Sequence, residues 1–516
     1  MQNTAIGKPG NGEREREGNA LAATAADDAR QLLLAFDRLC AKEGISYFAI
    51  EDTLVGAFCY QDLVPGEPRL KVGMLRNAFR QLEAAAARQH AQAGLPELDL
   101  TLLCDGPAAA QVGNSPTLEL HVFDTLTDDY DLSRFQVWSI RMDRKLAKRL
   151  SGGARKLMLR RAAAIAARYE NSPTDAVSNL YEKDAHSIPR CDVSQTQRIP
   201  FANETISAPI KPDTWVETDL DEVRRRTRAV QADLLLIMSE IDRVCRECDI
   251  GYFLCAGTLL GAMRYDGFIP WDDDADLGML RPDFERFVAC AQERLGERFF
   301  VQTWENEPDA PYLYAKVRLI GTEYITRWLD GHDVHPGISV DIFPFDLAPV
   351  DEPGFDGHLA EANRLAKAHK SLANHRVSAD MPHRKAKGLW EHAGHAVMAL
   401  LHARYRLKSS KKTAESYRAH VSKFNGDLQG GFNAVAEANR TPRYAASYVA
   451  YFTYLSVDDL LPYREVTFEH LSLLAPANPE ALMTMQFGDY LQEPPVHKRR
   501  GHPVLRWRAS DGQANA

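Results

Sequence analysis

A run of aspartates near the middle of the chain is the part of the sequence best suited to chemistry. Asp272, Asp273, Asp274 and Asp276 follow an apolar, glycine-interrupted stretch that begins at Gly257. Two carboxylates about 4 Å apart repel each other by roughly 1 kcal/mol in water and by about 4 kcal/mol near a protein surface. Four carboxylates on one short turn therefore call for a compensating charge, and a divalent cation is the simplest one.

Two predicted strands must position these side chains. The first carries Asp274 and Asp276, and because side chains alternate along a strand, both carboxylates share one face while Ala275 and Leu277 turn toward the core. A later segment places Asp341 between two apolar residues in the same alternating pattern. A neighbouring strand could therefore bring a third carboxylate to the same metal site.

Other interpretations of these aspartates compete with a metal site. A calcium loop of the EF-hand type that starts at Asp272 would need Gly at its sixth position and Glu at its twelfth, where the chain has Leu277 and Asp283. A solvated acidic turn is disfavoured because the mainly apolar residues 268–271 lead directly into the cluster. For Asp341, a charge that protects a sheet edge stays open as an alternative.

The composition is that of an ordinary globular protein. The chain has 516 residues, 45% of them hydrophobic and 26% charged, with a net charge of -9. This length predicts two or three domains, and the lack of a basic excess argues against a nucleic-acid partner. The sequence shows no apolar core of signal-peptide length and no apolar window of the ~18 residues that a membrane span needs. Residues 1–26 are mainly polar and predict a disordered leader on a cytoplasmic protein.

An internal repeat organises the chain. Residues 45–82 align with residues 250–287 without a gap, at a constant offset of 205, and share Tyr47/Tyr252 and Gly56/Gly261 among other identities. Such a register would not persist by chance across helix, strand and turn. Two weaker correspondences follow in each copy: 115–124 with 335–344, and 201–212 with 468–479.

The repeat predicts two tandem copies of one domain. Alternating helical and strand patterns favour an α/β (α+β) mixed-sheet fold for both copies. The second copy is longer because of a basic insertion whose apolar spacing suits a helical hairpin or bundle. The predicted division is a leader at 1–26, a first domain at 27–213, a linker at 214–224, a second domain at 225–504 with a helical insertion at about 355–440, and a tail at 505–516.

The second copy resembles a known family. A Gly-Thr helix start, an Asp-x-Asp strand and a later lone Asp on a strand resemble the nucleotidyltransferase fold, whose sites use three carboxylates to hold two divalent ions. More specifically, the second copy looks like the LicD family of phosphocholine transferases and their relatives, the fukutins. The motifs that carry this resemblance are TLLGAMRYDGFIPWDDDADLGM (258–279), KVRLIGTEYI (316–325), GISVDIFPFD (337–346) and APANPEALMTMQFGDYLQEPP (475–495).

The resemblance implies a reaction and a set of site residues. The reaction is transfer of a phosphate-linked alcohol, such as phosphocholine or a polyol phosphate, from a CDP-alcohol donor to a hydroxyl of a glycan or lipid-linked glycan. The implied ligands of Mg²⁺ or Mn²⁺ are Asp274, Asp276 and Asp341, the last being either a ligand or the base for the acceptor hydroxyl. The implied donor-binding residues are Gly257 and Thr258 at a helix N-terminus, with Arg264, Lys316 and Arg318, and more weakly Lys498 and Arg499, facing the diphosphate. Asp272 and Asp273 would orient the metal ligands or cap the turn. Four histidines are not spaced as metal ligands are and receive no ligand role: His332, His335, His497 and His502.

The first copy departs from the family at the acidic cluster. At the offset of 205, the four aspartates become Glu67, Pro68, Arg69 and Lys71, while Gly257 becomes Asp52 and the third-carboxylate position holds His121. Cationic side chains repel a divalent ion. We therefore expect a degenerate domain that packs on the second copy, binds an acceptor or mediates homodimer formation.

Alternatives to this function stay open at the level of sequence. A nucleotidyltransferase would transfer the nucleotide itself, and a non-catalytic scaffold would use both copies as interaction domains. The basic insertion could meet an anionic membrane at its inner face, although a solvated, charge-rich bundle fits the same composition.

Overall fold

The chain was analysed as a computed structural model. It describes residues 11–65, 69–91, 109–112, 118–170, 172, 174, 176–178, 188–189, 191–210, 220–308, 310–326, 329–348, 352–380, 385–425, 443–446, 455–494, 499, 501–502 and 504–513. The chain divides into two compact units, the first comprising residues 1–218 and 382–398 and the second residues 219–381 and 399–516. Each unit mixes helices with β-sheet, as the sequence predicts.

The first unit is built on a mixed sheet. Its described helices are α1 (Asn11–Glu43), α2 (Glu51–Val55), α3 (Arg76–Ala91), α4 (Tyr130–Ala147), α5 (Gly152–Ala166) and α6 (Cys191–Ser194). Its described strands are β1 (Phe48–Ala49), β2 (Leu70–Leu75), β3 (Ala109–Val112), β4 (Leu118–Thr125), β5 (Ala176–Ser178), β6 (Ile188–Pro189), β7 (Thr196–Phe201) and β8 (Glu204–Pro209). The order in the main sheet is β1-β2-β4-β5-β6, with β3 beside β4, and β7 pairs with β8 separately.

The second unit has a larger set of elements. Its described strands are β9 (Phe253–Leu254), β10 (Asp276–Leu280), β11 (Phe299–Gln302), β12 (Ala315–Leu319), β13 (Glu323–Thr326), β14 (Ser339–Ala348), β15 (Arg443–Ala446), β16 (Leu455–Ser456), β17 (Arg464–Phe468), β18 (Leu471–Ala475) and β19 (Val504–Arg508). The described helices that follow α6 in the chain are α7 (Leu220–Glu247), α8 (Ala256–Tyr265), α9 (Arg281–Leu295), α10 (Glu352–Asp380), α11 (Gly388–Arg406), α12 (Ser410–Val421), α13 (Val457–Leu460) and α14 (Pro479–Phe487).

The central sheet of the second unit brings β10 and β14 side by side. The strand order is β11-β12-β14-β10-β9, and the β10–β14 pair is parallel whereas β12–β14 and β9–β10 are antiparallel. Helix α7 packs on this sheet because its apolar residues recur at helical spacing. Leu234, Ile237, Met238 and Ile241 of that helix are at most 1% exposed.

The alternation predicted for the acidic segment is present. Ala275 and Leu277 are buried, whereas Asp274 and Asp276 are only half-buried. Strand β10 begins at Asp276, two residues later than predicted, so Asp274 lies in the extended segment before the strand. The segment still follows β14, because the Asp341 amide donates to the Ala275 carbonyl at 2.9 Å.

Several segments differ from the sequence prediction. Residues 11–26, which the sequence predicts as part of a disordered leader, belong to helix α1 in the structure, while residues 1–10 lie outside the described ranges. Helix α7 begins at Leu220, inside the predicted linker. The predicted tail contributes to strand β19, which pairs with β13. Ala, Glu and Arg, which are frequent in residues 11–26, are good helix formers, and this favours the extension of α1.

The predicted insertion is helical where the structure describes it, but part of it belongs to the first unit. Residues 382–398 include Trp390, whose ring centroid lies 4.8 Å from that of Phe135, and His395, whose Nε2 lies 3.0 Å from Asp129 Oδ2. This packing assigns the segment to the first unit. None of the helices in the described ranges combines the length and apolar character that crossing a bilayer requires.

The same local contacts occur inside each unit, most of them between residues that the sequence offset of 205 relates. Phe48 pairs with Gly73 in β1–β2, as Phe253 pairs with Gly278 in β9–β10. The Thr53 hydroxyl accepts the Lys71 amide at 2.6 Å, as the Thr258 hydroxyl accepts the Asp276 amide at 2.8 Å. Bidentate ion pairs also recur, Arg76–Asp124 in one unit and Arg281–Asp346 in the other.

The strand register corrects one residue of the alignment. Lys71 lies opposite Glu119 in β2–β4, as Asp276 lies opposite Asp341 in β10–β14. The position of the third carboxylate is therefore held by Glu119 and not by His121. A shift of two residues leaves every side chain on the same face, so the apolar pattern alone cannot detect it. That the first unit is a second, degenerate nucleotidyltransferase-like domain stays a prediction.

Candidate functional site

A cavity of about 610 Å³ in the second unit contains the predicted carboxylates. The start of α8, the loop before β10, the four strands β10, β12, β13 and β14, and the end of α14 border it. The polar and charged side chains on its wall come from distant parts of the chain. They include Asp272, Asp273, Asp274, Asp276, Lys316, Arg318, Tyr324, Thr326, Ser339, Asp341, Gln486 and His502.

The carboxylates of the cavity repel one another, and burial adds to the cost of their negative charge. Asp276 and Asp341 face each other directly across the parallel β10–β14 pair. Burial, together with the negative charges of Asp274, Asp341 and Asp272, raises the pKa of Asp276 well above its ordinary value. Burial also raises the pKa of Asp274, and burial with the Asp274 charge raises that of Asp272. Bound positive charge would relieve this repulsion.

Lys316 forms an ion pair with Asp341, the third predicted carboxylate. It lies opposite Asp341 in the antiparallel β12–β14 pair, and its Nζ forms an ion pair with Asp341 Oδ1. The ammonium lies 4.8 Å from the ring centroid of Tyr312 and 5.2 Å from that of Tyr314, and Lys316 is only 8% exposed. The predicted donor-binding residue is therefore in the cavity, where it holds Asp341 in place.

Arg318 is engaged in hydrogen bonds inside the domain. Its side chain is 2% exposed, and its guanidinium donates to Gln302 Oε1 at 2.6 Å, to the Gly337 carbonyl at 2.6 Å and to the Tyr312 hydroxyl at 2.8 Å. Although Arg318 borders the cavity, these internal acceptors occupy its Nε, Nη1 and Nη2. These bonds connect β12 to β11 and to the segment before β14, and binding of the donor diphosphate by Arg318 stays a prediction.

The helix-start residues act on the acidic loop. Gly257 borders the cavity, and a Cβ added there would lie 2.8 Å from Asp272 Oδ2, so glycine permits the close approach of that carboxylate. Thr258 is 4% exposed and does not border the cavity. Its hydroxyl accepts the amide hydrogen of Asp276, which fixes the start of β10.

Arg264 and Arg499, the other predicted cations among the residues that the structure describes, do not border the cavity. Arg264 is in the last turn of α8, about 10 Å along the helix from Gly257 at 1.5 Å per residue. Its Nη2 donates to the Gln492 carbonyl at 3.2 Å. Arg499 pairs with Glu493 at 2.8 Å and does not border the cavity. Lys498 and His497 lie outside the described residues.

His502 is a site residue that the sequence did not indicate. Its backbone amide lies 3.1 Å and 3.0 Å from the two carboxylate oxygens of Asp273, and its Nδ1 donates to Asp273 Oδ1 at 2.8 Å. Its Nε2 lies 3.8 Å from Asp274 Oδ2. The hydrogen bond to Asp273 is the main reason why the pKa of His502 is raised to about 9. The sequence could not indicate this contact, because His502 lies 229 residues from Asp273 and is not spaced from other candidate ligands as in known metal motifs.

The donor chemistry of the cavity fits a hard divalent cation. Carboxylate oxygens are the ligands that Mg²⁺ and Mn²⁺ prefer, and Asp274, Asp276 and Asp341 provide them from two adjacent strands and the loop before one of them. Among the residues that the structure describes, no three or more His, Cys, Asp or Glu side chains already converge as a metal site. The ion pair of Asp341 with Lys316 and the mutual repulsion of the aspartates account for their spread.

Comparison with known proteins identifies the domain that contains this site. Residues 249–355 match the family model described as LicD/FKTN/FKRP, nucleotidyltransferase domain. The match includes Asp274, Asp276, Lys316 and Asp341. This part of the chain is a LicD-family domain. The family resemblance drawn from the sequence motifs is thereby confirmed for the second copy, whereas the tandem arrangement stays a prediction.

Individual relatives support the same assignment. The chain is 24% identical over 282 residues to the lipopolysaccharide cholinephosphotransferase LicD of Haemophilus influenzae, a match that covers 54% of this chain and 96% of that protein. It is 40% identical over 122 residues to an uncharacterised protein of Rickettsia prowazekii, which covers 20% of this chain and 44% of that protein. An uncharacterised protein of Rickettsia typhi is 32% identical over 87 residues, or 16% of this chain and 28% of that protein.

Proposed function

We propose that the second unit is a metal-dependent phosphotransferase that moves a phospho-alcohol from a CDP-activated donor to a glycan hydroxyl. The observation that carries this proposal is the direct opposition of Asp276 and Asp341 in a cavity that Asp274 also borders, inside the LicD-family domain. The relative from Haemophilus influenzae, which matches over nearly its whole length, is a cholinephosphotransferase by name. Phosphocholine is accordingly our first choice of transferred group, with a polyol phosphate as the next.

Different residues of the cavity take part in different steps of phosphoryl transfer. Asp274 and Asp276, with Asp341 as a third ligand where it is not the base, would hold a Mg²⁺ or Mn²⁺ ion, which would neutralise charge on the donor phosphates. The acceptor hydroxyl oxygen forms a new bond to the phosphorus of the phospho-alcohol, and the bond from that phosphorus to CMP breaks with the electron pair leaving on CMP. The hydroxyl proton passes to a carboxylate of the cavity, and Asp341 is this base where it does not serve as the third metal ligand.

The first unit takes no part in this chemistry in our proposal. Where the second unit has Asp276, the first has Lys71, whose Nζ lies 2.5 Å from Glu51 Oε2. An ammonium that already neutralises the neighbouring carboxylates leaves no need for a divalent ion. Acceptor binding or dimer formation through this unit, and association with the inner face of a membrane, stay predictions from the sequence.

Product analysis with a donor panel tests the proposal. The full-length protein would be incubated with CDP-choline, CDP-ribitol or CDP-glycerol and Mg²⁺ or Mn²⁺, with and without candidate glycans. Glycan-dependent release of CMP from one donor supports phospho-alcohol transfer. Release of pyrophosphate from a nucleoside triphosphate, with no CMP from any donor, would instead favour a nucleotidyltransferase. No turnover with any donor and acceptor would favour the scaffold.

A further inference from the structure

The Asp273 carboxylate is held by the C-terminal segment of the second unit. Asp273 is 2% exposed, and the backbone amide and the ring Nδ1 of His502 donate hydrogen bonds to its side chain. The Tyr324 hydroxyl on β13 also interacts with this carboxylate. A buried carboxylate that lost the two His502 donors would lose most of the compensation for its desolvation. The position of the acidic loop and that of residue 502 are thus tied to each other.

Gly501 allows the segment to come this close. A Cβ added at Gly501 would lie 2.2 Å from Asp273 Oδ2 and 2.5 Å from its carboxyl carbon. Such distances are far below van der Waals contact, so a side chain at residue 501 would force either the segment or the Asp273 carboxylate to shift. The close approach therefore depends on glycine at this one position.

The segment is anchored at its other end to strand β13 and to helix α7. Strand β19 pairs with β13, with Trp507 opposite Tyr324. Beyond the strand, the Ser510 amide donates to Asp233 Oδ2 on α7 at 2.8 Å, and the Ser510 hydroxyl also donates to Asp233. His502 consequently stands on a segment that is fixed both at the acidic loop and at the sheet edge.

Of the three proposed metal ligands, Asp274 depends most on this arrangement. Asp276 and Asp341 lie on paired strands, but Asp274 precedes β10 and directly follows Asp273. The closest imidazole nitrogen to Asp274 Oδ2 is His502 Nε2, at 3.8 Å, on the side of the ring away from Asp273. A shift of Asp273 would therefore move Asp274 before it moved the other two.

The first copy has no residues that align with both Asp273 and the segment of Gly501 and His502. The residue that aligns with Asp273 in the first copy is Pro68, and the correspondence between the copies ends at residues 212 and 479, well before Gly501. The C-terminal contact thus accompanies the acidic cluster and is not part of the frame that the two copies share.

We propose that His502 is a positioning residue for the metal site, acting through Asp273 to hold the loop that presents Asp274. This rests on the proposed phosphotransferase function and adds to it a residue 229 positions from the acidic cluster. Residues that orient metal ligands from outside the coordination shell commonly change metal affinity by about 10–100-fold when they are replaced. The C-terminal segment is then part of the active centre rather than a tail.

Binding of Mn²⁺ to the full-length protein, read without donor or acceptor, tests this role. His502→Ala should weaken Mn²⁺ binding by about tenfold. His502→Asn should restore most of it, because its side-chain amide can replace the Nδ1 donor. Asp273→Asn should weaken binding by the same mechanism, so the double variant Asp273→Asn/His502→Ala should bind no more weakly than the weaker of the two single variants. Leu505→Ala, on the same segment but without a contact to Asp273, is the matched control and should bind Mn²⁺ like the unaltered protein.

Specific outcomes would overturn the proposal. Unchanged Mn²⁺ affinity in His502→Ala would do so, as would failure of the unaltered protein to bind Mn²⁺. Rescue by His502→Gln but not by His502→Asn would indicate a direct role of Nε2 and would also overturn it. Because the readout needs no substrate, a protein that binds Mn²⁺ with the predicted coupling but releases no CMP would refute the proposed function alone.

Discussion

Asp276 lies directly opposite Asp341 in the parallel pairing of β10 with β14. Two half-buried carboxylates that neighbouring strands hold face to face repel each other continuously, and backbone pairing prevents them from moving apart. The protein maintains this unfavourable contact in a cavity that also contains Asp274 and Lys316. Such a cost is expected at a site that binds positive charge, since the cation recovers the lost stability.

Removing one of the opposed carboxylates should separate activity from stability. We expect Asp276→Asn to lower the rate of CMP release by about 100-fold or more, because electrostatic stabilisation of the transferred group is lost. Its melting temperature without metal should be equal to or higher than that of the unaltered protein, because the repulsion is relieved. An assay of CMP release measures the first effect, and scanning calorimetry with EDTA and with Mn²⁺ measures the second.

The matched control for that variant is Glu361→Gln. Glu361 is an exposed carboxylate on α10 that pairs with Arg364 and does not border the cavity. The Glu361→Gln variant should release CMP at the rate of the unaltered protein. A fully active Asp276→Asn protein would contradict the assignment of Asp276 to the site.

Lys316 should compete with the cation for Asp341. Replacing it in Lys316→Met leaves a carboxylate that is 15% exposed without its ammonium, so the metal-free protein should be less stable. In the same variant Mn²⁺ should bind several-fold more tightly, because it no longer displaces an ion pair. Titration calorimetry measures this affinity. Weaker Mn²⁺ binding in Lys316→Met would show that Lys316 helps to form the metal site instead.

Arg318 provides a contrasting case. Its internal hydrogen bonds predict that Arg318→Met destabilises the protein by about 2–4 kcal/mol, because buried acceptors lose their donors. The KM for the donor should stay unchanged in the fraction that folds. Urea unfolding and steady-state kinetics measure the two quantities. A raised donor KM at unaltered stability would return Arg318 to a phosphate-binding role.

A pair of histidines in the second unit should make it sensitive to acid. Burial, with the neighbouring His420, lowers the pKa of His358 to about 4, while Asp346 opposes and Lys423 reinforces the shift. The unfolded chain binds a proton near pH 6.5 and the folded protein does not, so stability should fall as the pH drops from about 6.5 toward 4. His358→Phe should flatten this part of the melting-temperature profile, with the exposed His392→Phe as control. An unchanged slope in His358→Phe would exclude His358 as the cause.

The contiguous parts of the site could be predicted from the sequence because they lie on single strands. The alternation around Asp276 and Asp341 identified which side chains leave the core, and the structure pairs those two residues directly. The long apolar period of α7 and the start of α8 near Gly257 follow from the same local patterns.

Other features depend on contacts between distant segments, which local patterns do not encode. His502 reaches Asp273 across 229 residues, and Arg318 is buried among acceptors that only the folded sheet assembles. The two-residue shift that replaces His121 with Glu119 opposite Lys71 keeps the alternation intact, so it needed the strand register to reveal it. Each of these required three-dimensional information.

CMP release by the full-length protein is the measurement that tests the central claim most directly. The unaltered protein, supplied with CDP-choline or another CDP-alcohol, Mg²⁺ or Mn²⁺ and an acceptor glycan, should release CMP in step with phosphodiester formation on the glycan. Asp274→Asn/Asp276→Asn should abolish that release while remaining folded. Failure of the unaltered protein to release CMP from any donor, or equal release by the double variant, would contradict a phosphotransferase built on these aspartates.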